Sequence, residues 1–276
     1  MPGRIIYEQE DLRYLKWSHV RNSSGTAGTF LKSESVIGGK KRYYKLSDFN
    51  YEAGVVGHEC VNEIIVDRLL TILGVEHLEY DLINALIEVD GKEYETFLCG
   101  SYDFKKRGES KAALDDYFRV NANENESPYD FCKRNGWEDQ IDEMIAVDYI
   151  ILNRDRHGAN IEVLRNSRQK TIRIAPLFDH GLSLMFSCKS EEEAVAYDIS
   201  KDVRCNNFIG GVSCLENLIF IKGKKDVFRN RLDPSDKGII FDGIDKILPD
   251  IYTEKIWNMI YERFCTYERF CVYEDL

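Results

Sequence analysis

The first apolar pattern in the chain is typical of β-strands. Residues 15–46 alternate apolar and polar positions or carry β-branched and aromatic side chains, and glycine-containing stretches interrupt them at 23–28 (SSGTAG) and 38–41 (GGKK). Short β-type runs joined by glycine turns predict a meander of three antiparallel strands. Lys45 falls on the third predicted strand.

The next pattern has the period of an amphipathic helix. Residues 59–73 place four apolar side chains on one stripe, namely Val61, Ile65, Leu69 and Ile72. A helix is predicted here, with Gly74 as its C-terminal signal. Two further β-type runs, 82–89 and 94–99, flank Asp90-Gly91, and we expect them to form a hairpin.

Helical patterns dominate the remainder of the chain. Residues 104–135 are charged and rich in Asn, Glu and Ser, which predicts a connecting loop with short helices. Residues 137–152 have apolar side chains at helical spacing and predict a buried helix. A second hairpin is expected over 161–178, and helices are expected to fill most of 190–276. The C-terminal stripe consists of Trp257, Ile260, Phe264, Tyr267 and Cys271.

Together these patterns predict an α+β fold with two lobes. A β-rich N-lobe with one main helix is expected over residues 1–103, and a mostly helical C-lobe over 104–276. The apolar share of 43% is enough for a packed core and excludes a disordered chain. No low-complexity segment separates two independent domains.

Charge and cysteine usage narrow the classes of partner and site. Against 37 Lys and Arg there are 48 Asp and Glu, a net charge of -11, so direct nucleic-acid binding is not expected. The sequence contains no long apolar run and no secretory leader, which predicts a cytoplasmic protein without stable membrane insertion. Secretion as an effector by a route without a signal peptide stays open. Eight scattered cysteines and five histidines lack metal-ligand spacing, so reduced thiols are expected.

The segments with most chemical information are LNRDRHGANIEVL at 152–164 and APLFDHGLSL at 175–184. Asp155 and Asn160 follow a predicted buried helix, and Asp179 follows the second hairpin. Phosphoryl transfer needs a carboxylate that accepts the proton of the attacking hydroxyl, and oxygen ligands that hold Mg²⁺ against the nucleotide phosphates. We therefore expect Asp155 to be the base, with Asn160 and Asp179 as metal ligands.

His157 lies in the same loop as Asp155. A histidine at this place is suited to stabilise the charge that develops on the transferred phosphate. A structural, hydrogen-bonded histidine is the alternative.

Three features of the predicted N-lobe add further residues to the predicted phosphoryl-transfer site. The SSGTAG loop is suited to bring backbone N–H groups to a phosphate, and an ordinary glycine hairpin is the alternative. Its predicted cofactor-binding residues are Ser24, Gly25, Thr26, Ala27 and Gly28. Lys45 is predicted to contact the nucleotide phosphates and Glu63 to pair with it, the alternatives being an exposed lysine and a surface glutamate.

These motifs resemble a known group of enzymes. NRDRHGAN with PLFDHG resembles the catalytic and metal loops of the HipA-like bacterial Ser/Thr kinases, and D-R-H-x-x-N followed by D-x-G is also similar to phosphoinositide kinases. SSGTAGTFLKS, YYKLS and HECVNEIIVDRLL look like the phosphate loop, lysine strand and following helix of the same group. The resemblance covers about residues 17–185. It implies a bilobal, protein-kinase-like fold and an ATP- and Mg²⁺-dependent Ser/Thr protein kinase, with Mn²⁺ as an alternative ion.

The resemblance also implies roles for further residues. CGSYDF at 99–104 resembles the hinge strand, so Gly100 and Tyr102 are expected to contact adenine through their backbones. Ser23 and Ser24 are the candidates for autophosphorylation, with Ser24 preferred. HipA toxins proper carry an additional N-terminal subdomain and an antitoxin partner, which this shorter chain is not expected to share.

Two other functions stay open from the sequence alone. The first is a phosphoinositide or small-molecule kinase, because the catalytic motif is similar in that group. The second is a nucleotide-binding pseudokinase or scaffold. The protein that would accept the phosphate is not specified by any motif.

Overall fold

A computed structural model describes residues 3–18 and 30–273 of the chain. Its strands are β1 (Arg4–Asp11), β2 (Lys32–Ile37), β3 (Lys40–Lys45), β4 (Phe49–Asn50), β5 (Gly54–Val55), β6 (Tyr80–Val89), β7 (Lys92–Tyr102), β8 (Glu109–Ala113), β9 (Asp155–Arg156), β10 (Glu162–Asn166), β11 (Thr171–Ile174) and β12 (Asn206–Asn207). Its α-helices are α1 (Glu59–Leu73), α2 (Leu114–Asn121), α3 (Pro128–Arg134), α4 (Glu138–Ile151), α5 (Glu191–Ala196), α6 (Cys214–Asn217), α7 (Lys237–Ile240) and α8 (Asp250–Tyr273).

The N-terminal part is a five-stranded sheet in the order β1-β6-β7-β3-β2. The β6–β7 hairpin is confirmed, and Asp90 and Gly91 at its turn both have positive φ, 51° and 79°. The meander is confirmed for β2 and β3, whereas its first strand is represented by a single antiparallel bridge between Ser18 and Lys32. Strand β1 was not predicted, and it pairs in parallel with β6.

Helix α1 packs on one face of this sheet. Its bounds, Glu59–Leu73, agree with the predicted helix, and Gly74 ends it in the left-handed conformation at φ 77°. Because side chains alternate along strands, Lys45, Cys99 and Leu82, which lie in register on β3, β7 and β6, share the α1 face. A separate apolar cluster covers the opposite face; it includes Leu12, Leu15, Leu31, Leu46, Ile83 and Leu98.

Side chains of α1 also attach it to later parts of the chain. Asn62 Nδ2 donates to the carbonyl oxygens of Gly181 and Ser183 at 3.2 and 3.1 Å. One turn and a half further along, Arg68 Nη1 donates to the carbonyl oxygens of Ile240 and Asp242 at 2.9 and 2.8 Å. The side chains of Asn62 and Arg68 are both buried. The helix is therefore bonded to the second lobe at two points.

The second part of the chain is built around α4 and α8. A small sheet in the order β11-β10-β8 lies beside them, and the predicted second hairpin is confirmed as β10–β11. The short helices expected in 104–135 are α2 and α3, but β8 corrects the expectation of a loop there, because its five residues pair with β10. The expected helix over 137–152 is α4, and the C-terminal stripe lies on α8.

Helices occupy less of the C-terminal region than was predicted. Between α5 and α8 the chain forms short helical turns and β12, with irregular stretches between them. Buried apolar residues of α1, α4 and α8 belong to one continuous core. The division at residue 103 into two lobes stays a prediction, since this core extends across it.

Two further observations concern the whole described part of the chain. No helix in residues 3–18 and 30–273 is long and apolar enough to cross a membrane. All eight cysteines lie within these residues, and each carries a free thiol.

Candidate active site

Lys45 is the centre of a buried charge network. Its Nζ lies 3.0 Å from Glu63 Oε1 and 2.6 Å from Asp179 Oδ1. The side chain of Lys45 is 11% exposed and that of Glu63 is fully buried, so neither is the surface residue of the alternative interpretation. The predicted pair of Lys45 and Glu63 is confirmed, and Asp179 joins it from a segment 134 residues further along the chain.

The opposite charges of this network shift the pKa values of Lys45 and Glu63. Burial opposes the charge of Lys45, but Asp179 and Glu63 outweigh it and raise the pKa of the ammonium well above its usual value. Burial likewise opposes ionisation of Glu63, and the positive charge of Lys45 reverses this, so that the pKa of the carboxyl is lowered. Lys45 and Glu63 therefore stabilise each other in their charged forms.

Glu63 also holds the loop that carries Asp179. Its two carboxylate oxygens accept hydrogen bonds from the backbone N–H groups of His180, at 2.9 Å, and Gly181, at 3.1 Å. A Cβ at Gly181 would lie 3.1 Å from Lys45 Nζ, which explains why a residue without a side chain stands there. The loop is thus fitted closely against α1 and the lysine.

Asp179 adopts a backbone conformation that few residues other than glycine adopt. Its φ is 61°, in the left-handed region, and its N–H donates to the hydroxyl oxygen of Tyr80 at 3.2 Å. Such strain is held in place only where the surroundings fix the chain, and it occurs often at functional sites. Here it turns the carboxylate towards Lys45.

The predicted catalytic loop, which carries Asp155 and Asn160, is joined to the segment of Asp179 through the bond from Arg156 to the carbonyl of Phe178. Asn160 Nδ2 donates to the backbone oxygen of Asp155 at 2.8 Å, so the amide nitrogen faces the loop and the amide oxygen is the atom left for a ligand. The side chain of Asp155 is 31% exposed and available to a substrate.

His157 has one backbone bond and one carboxylate neighbour. Its Nδ1 accepts the N–H of Ala159 at 3.1 Å, which places the proton of the neutral ring on Nε2. Nε2 lies 3.6 Å from Asp155 Oδ1. Both interpretations of His157 keep support, since it orders the loop and also borders the carboxylate.

Arg156 and Asp148 are site residues that the sequence analysis missed. Arg156 is fully buried, and its Nη2 lies 2.9 Å from Asp148 Oδ1 on α4. Its Nη1 donates to the backbone oxygen of Phe178 at 2.8 Å, next to Asp179. The arginine therefore joins α4, the Asp155–Asn160 loop and the segment of Asp179. Its position beside the predicted catalytic aspartate was the only signal for it in the sequence.

The backbone of the catalytic loop is fixed from two more sides. Asn153, fully buried, accepts the N–H of Asp155 on Oδ1 at 3.1 Å and donates to Asp148 Oδ1 at 2.9 Å. Strand β12 pairs in parallel with β9, with Asn206 opposite Asp155. These bonds fix the position of the predicted base.

A cleft of about 360 Å³ opens between the sheet and the second lobe. Besides Lys45 and Asp179, its lining includes Tyr43, Cys99, Ser101, Phe104, Lys111, Glu162 and Phe178. Gly100 and Tyr102 alternate with the lining residues along β7, and a Cβ at Gly100 would lie 2.7 Å from Ile83 on the opposite face. Their expected backbone contacts with adenine stay a prediction.

The predicted phosphate loop is outside the described residues. It includes Ser24, Gly25, Thr26, Ala27 and Gly28, together with the second autophosphorylation candidate, Ser23. The segments on either side of it reach the cleft, because Ser18 and Lys32 both line it. Backbone contacts of this loop with a phosphate therefore stay a prediction as well.

The donor set fits a magnesium ion held jointly with nucleotide phosphates. Mg²⁺ prefers oxygen ligands, keeps several waters and is usually bound through one or two carboxylates and the substrate phosphates. Asp179 and the amide oxygen of Asn160, whose nitrogen is the atom bonded to the loop, are ligands of this kind. In the described parts of the chain no cluster of three His, Cys, Asp or Glu side chains forms a self-sufficient metal site.

Comparison with known proteins identifies the fold. No protein-family model and no curated protein sequence matches the chain. The structure is similar to that of the Helicobacter pylori proinflammatory kinase CtkA, with a TM-score of 0.65 and 16% identity over 97% of this chain and 99% of that one. At this identity the likeness shows the fold, so the predicted bilobal kinase-like α+β fold is confirmed.

A second similar structure is HipA of Shewanella oneidensis MR-1, solved with HipB and operator DNA. Its TM-score is 0.43 at 10% identity, over 93% of this chain and 68% of HipA. A likeness at this level supports no conclusion about function.

Proposed function

We propose that this chain is an ATP- and Mg²⁺-dependent Ser/Thr protein kinase. The observation that supports it most is the position of Lys45 Nζ, 3.0 Å from Glu63 and 2.6 Å from Asp179, together with the bond from Arg156 of the Asp155–Asn160 loop to the carbonyl of Phe178, next to Asp179. Transfer of a nucleotide phosphate requires a fixed ammonium near carboxylate and amide oxygens, and Lys45, Asp179 and the neighbouring loop with Asp155 and Asn160 supply groups of these kinds. The kinase-like fold agrees with this assignment.

Each of these residues has a separate role in the proposed reaction. Lys45 neutralises charge on the nucleotide phosphates, and Asp179 and Asn160 would hold Mg²⁺, which supplies further neutralisation when bound. Asp155 accepts the proton of a serine or threonine hydroxyl as its oxygen attacks the γ-phosphorus. The bond from the γ-phosphorus to the bridging oxygen breaks, and ADP leaves.

Positioning is the largest contribution expected from the protein. Arg156 fixes the loop of Asp155 against the loop of Asp179 through the carbonyl of Phe178. Holding the acceptor and the phosphate in line replaces a bimolecular encounter, which is worth several orders of magnitude in rate. His157 Nε2–H, beside Asp155, is suited to stabilise the transferred phosphate.

Autophosphorylation in the glycine-rich loop is part of the proposal. Ser23 and Ser24 are the candidate acceptors, with Ser24 preferred, and both segments that border the loop reach the cleft. A phosphate on this loop would introduce about two negative charges beside the nucleotide site and oppose further ATP binding.

Intact-mass spectrometry after incubation with ATP and Mg²⁺ tests the proposal. Wild type should gain one or more phosphates, Asp155→Ala none, and Asp116→Ala as many as wild type, because Asp116 is exposed on α2. If neither the chain nor any added protein gains phosphate although ATP binds, the chain is a pseudokinase. Transfer to a phosphoinositide or small molecule but not to protein would indicate the other kinase class.

A further inference from the structure

A carboxylate with one unpartnered oxygen lies in the wall of the cleft. Glu162 begins β10, two residues after Asn160, and it is only 6% exposed. Its Oε1 accepts a hydrogen bond from Lys111 Nζ at 2.9 Å. Its Oε2 is buried and has no hydrogen-bond partner among residues 3–18 and 30–273. A buried carboxylate oxygen without a donor is costly, so this atom is suited to accept a hydrogen bond from a ligand.

The surroundings of Glu162 are those of a small-molecule site. Lys111 and Glu162 line the same cleft as Lys45 and Asp179. The rings of Phe104 and Phe178, 5.8 Å apart at 32°, border the cleft as well. Apolar rings with a few fixed polar groups are typical of cofactor and nucleotide pockets.

The chemistry of a carboxylate that is paired with a lysine limits what Oε2 can bind. It accepts hydrogen bonds and donates none, so its partner must be a donor. Phosphate oxygens are excluded because they are acceptors and negatively charged. The donors on a nucleotide are the sugar hydroxyls and the amino group of the base, and a carboxylate is the usual partner of a ribose hydroxyl in dinucleotide-binding folds.

Building on the proposed kinase function, we propose that Glu162 is the ribose-binding residue of this cleft. Lys111 fixes Oε1, and Oε2 accepts a hydrogen bond from the 2′- or 3′-hydroxyl of the nucleotide. The pair thereby makes the site selective for ribonucleotides over deoxyribonucleotides.

Binding of ADP, 2′-deoxy-ADP and 3′-deoxy-ADP in the presence of Mg²⁺, measured by isothermal titration calorimetry, tests this without turnover. Wild type should bind at least one deoxy form about tenfold more weakly than ADP, since a hydrogen bond to a charged group is lost. In Glu162→Gln this ratio should fall to about twofold or less. Glu109→Gln is the matched control, because Glu109 pairs with Arg173 in the same small sheet and does not line the cleft.

The possible results separate this proposal from the kinase assignment. Equal binding of ADP and both deoxy forms by wild type overturns the ribose role and leaves the kinase assignment intact. An unchanged ratio in Glu162→Gln also overturns the ribose role. So does a result in which this variant loses only its preference for ADP over inosine diphosphate, because Oε2 would then bind the amino group of the base. No nucleotide binding at all overturns both proposals. Should Glu162→Gln fail to fold, Lys111→Met, which releases Oε1, is expected to reduce the ratio in its place.

Discussion

Arg156 and Asp148 form a buried, bidentate ion pair between the Asp155–Asn160 loop and α4. Arg156 Nη2 lies 2.9 Å from Asp148 Oδ1, and Nε lies 3.0 Å from Oδ2. Burial opposes the charge of the arginine, but Asp148 outweighs it, and the pKa of Arg156 is raised. Because Arg156 also donates to the carbonyl of Phe178, the loops of Asp155 and Asp179 share one support.

Loss of one partner of this pair should be severe. Arg156→Met leaves the carboxylate of Asp148 buried without its cation, and breaking a buried pair in this way costs about 3–5 kcal/mol. We expect this loss in the free energy of unfolding measured with urea. The double variant Arg156→Met with Asp148→Leu should recover a large part of it, since no buried charge is left. A single variant that lost less than about 1 kcal/mol would contradict the role given to the pair.

Glu63→Gln tests the link between α1 and the loop of Asp179. The glutamine keeps the shape, but its NH₂ group replaces one of the two oxygens and faces the N–H of either His180 or Gly181, so one of the two bonds is lost. We expect about a tenfold loss of ATP affinity in calorimetry and about 1–3 kcal/mol lower stability. Glu59→Gln, four residues earlier on α1 and bonded to the N–H of Asp48, is the control for stability alone. Unchanged ATP affinity in Glu63→Gln would separate Glu63 from the nucleotide site.

Substitution of Asp179 and substitution of Asp155 should impair different steps. Asp179→Asn, which keeps a residue type tolerant of positive φ, is expected to weaken Mg²⁺-dependent ATP binding about tenfold or more. Asp155→Asn should bind ATP within about twofold of wild type and lose phosphoryl transfer by a factor of about 10²–10⁴. Calorimetry gives the first quantity and radiolabelled transfer the second. Equal losses of binding in the two variants would contradict this division of roles.

His58 predicts an acid-induced loss of stability. It precedes α1, is 8% exposed, and packs edge-on against Tyr252 of α8 with ring centroids 5.2 Å apart. Burial lowers the pKa of His58 from 6.5 to about 4. Since the folded pKa is the lower one, the contribution of this group is complete above about pH 6.5 and is lost as the pH falls to about 4.

Urea unfolding at pH 7.5 and at pH 4.5 measures this effect. Between pH 7.5 and pH 4.5 the free energy of unfolding of wild type should fall by about 2–3 kcal/mol more than that of His58→Phe. His77 should have the opposite effect. Burial opposes its charge, but hydrogen bonding to Asp67 helps to raise its pKa, so wild type should gain stability relative to His77→Gln as the pH falls. Identical pH profiles for wild type and His58→Phe would show that His58 does not titrate with unfolding.

The parts of the fold with local signals could be predicted from the sequence. Helix α1 has an apolar stripe and a terminal glycine, and the β6–β7 hairpin has Asp90-Gly91, so periodicity and turn chemistry sufficed for both. The pair of Lys45 and Glu63 followed from the order of elements, because a strand and the next helix pack together in this lobe.

Elements and contacts that depend on distant partners were missed. Strand β1 lacks regular alternation and is defined by pairing with β6, some seventy residues away. Strand β8, ESKAA, has little β-propensity and forms because β10 offers it an edge. The partner of Arg156 and the unpaired oxygen of Glu162 are likewise set by tertiary packing, which charged residues in a sequence do not reveal.

The attachment of α1 to both lobes has a mechanical consequence. Asn62 and Arg68 together donate four hydrogen bonds to backbone oxygens near the metal loop and α7. The sheet holds α1 as well, since Asp67 accepts the N–H of Tyr80 on β6 at 2.7 Å and Cys99 Sγ donates to the carbonyl oxygen of Cys60 at 3.2 Å. A rotation of the sheet away from the second lobe would therefore have to break one of these two sets of bonds. Opening of the cleft by such a rotation is resisted at α1, so that the helix acts as a brace between the two parts of the chain.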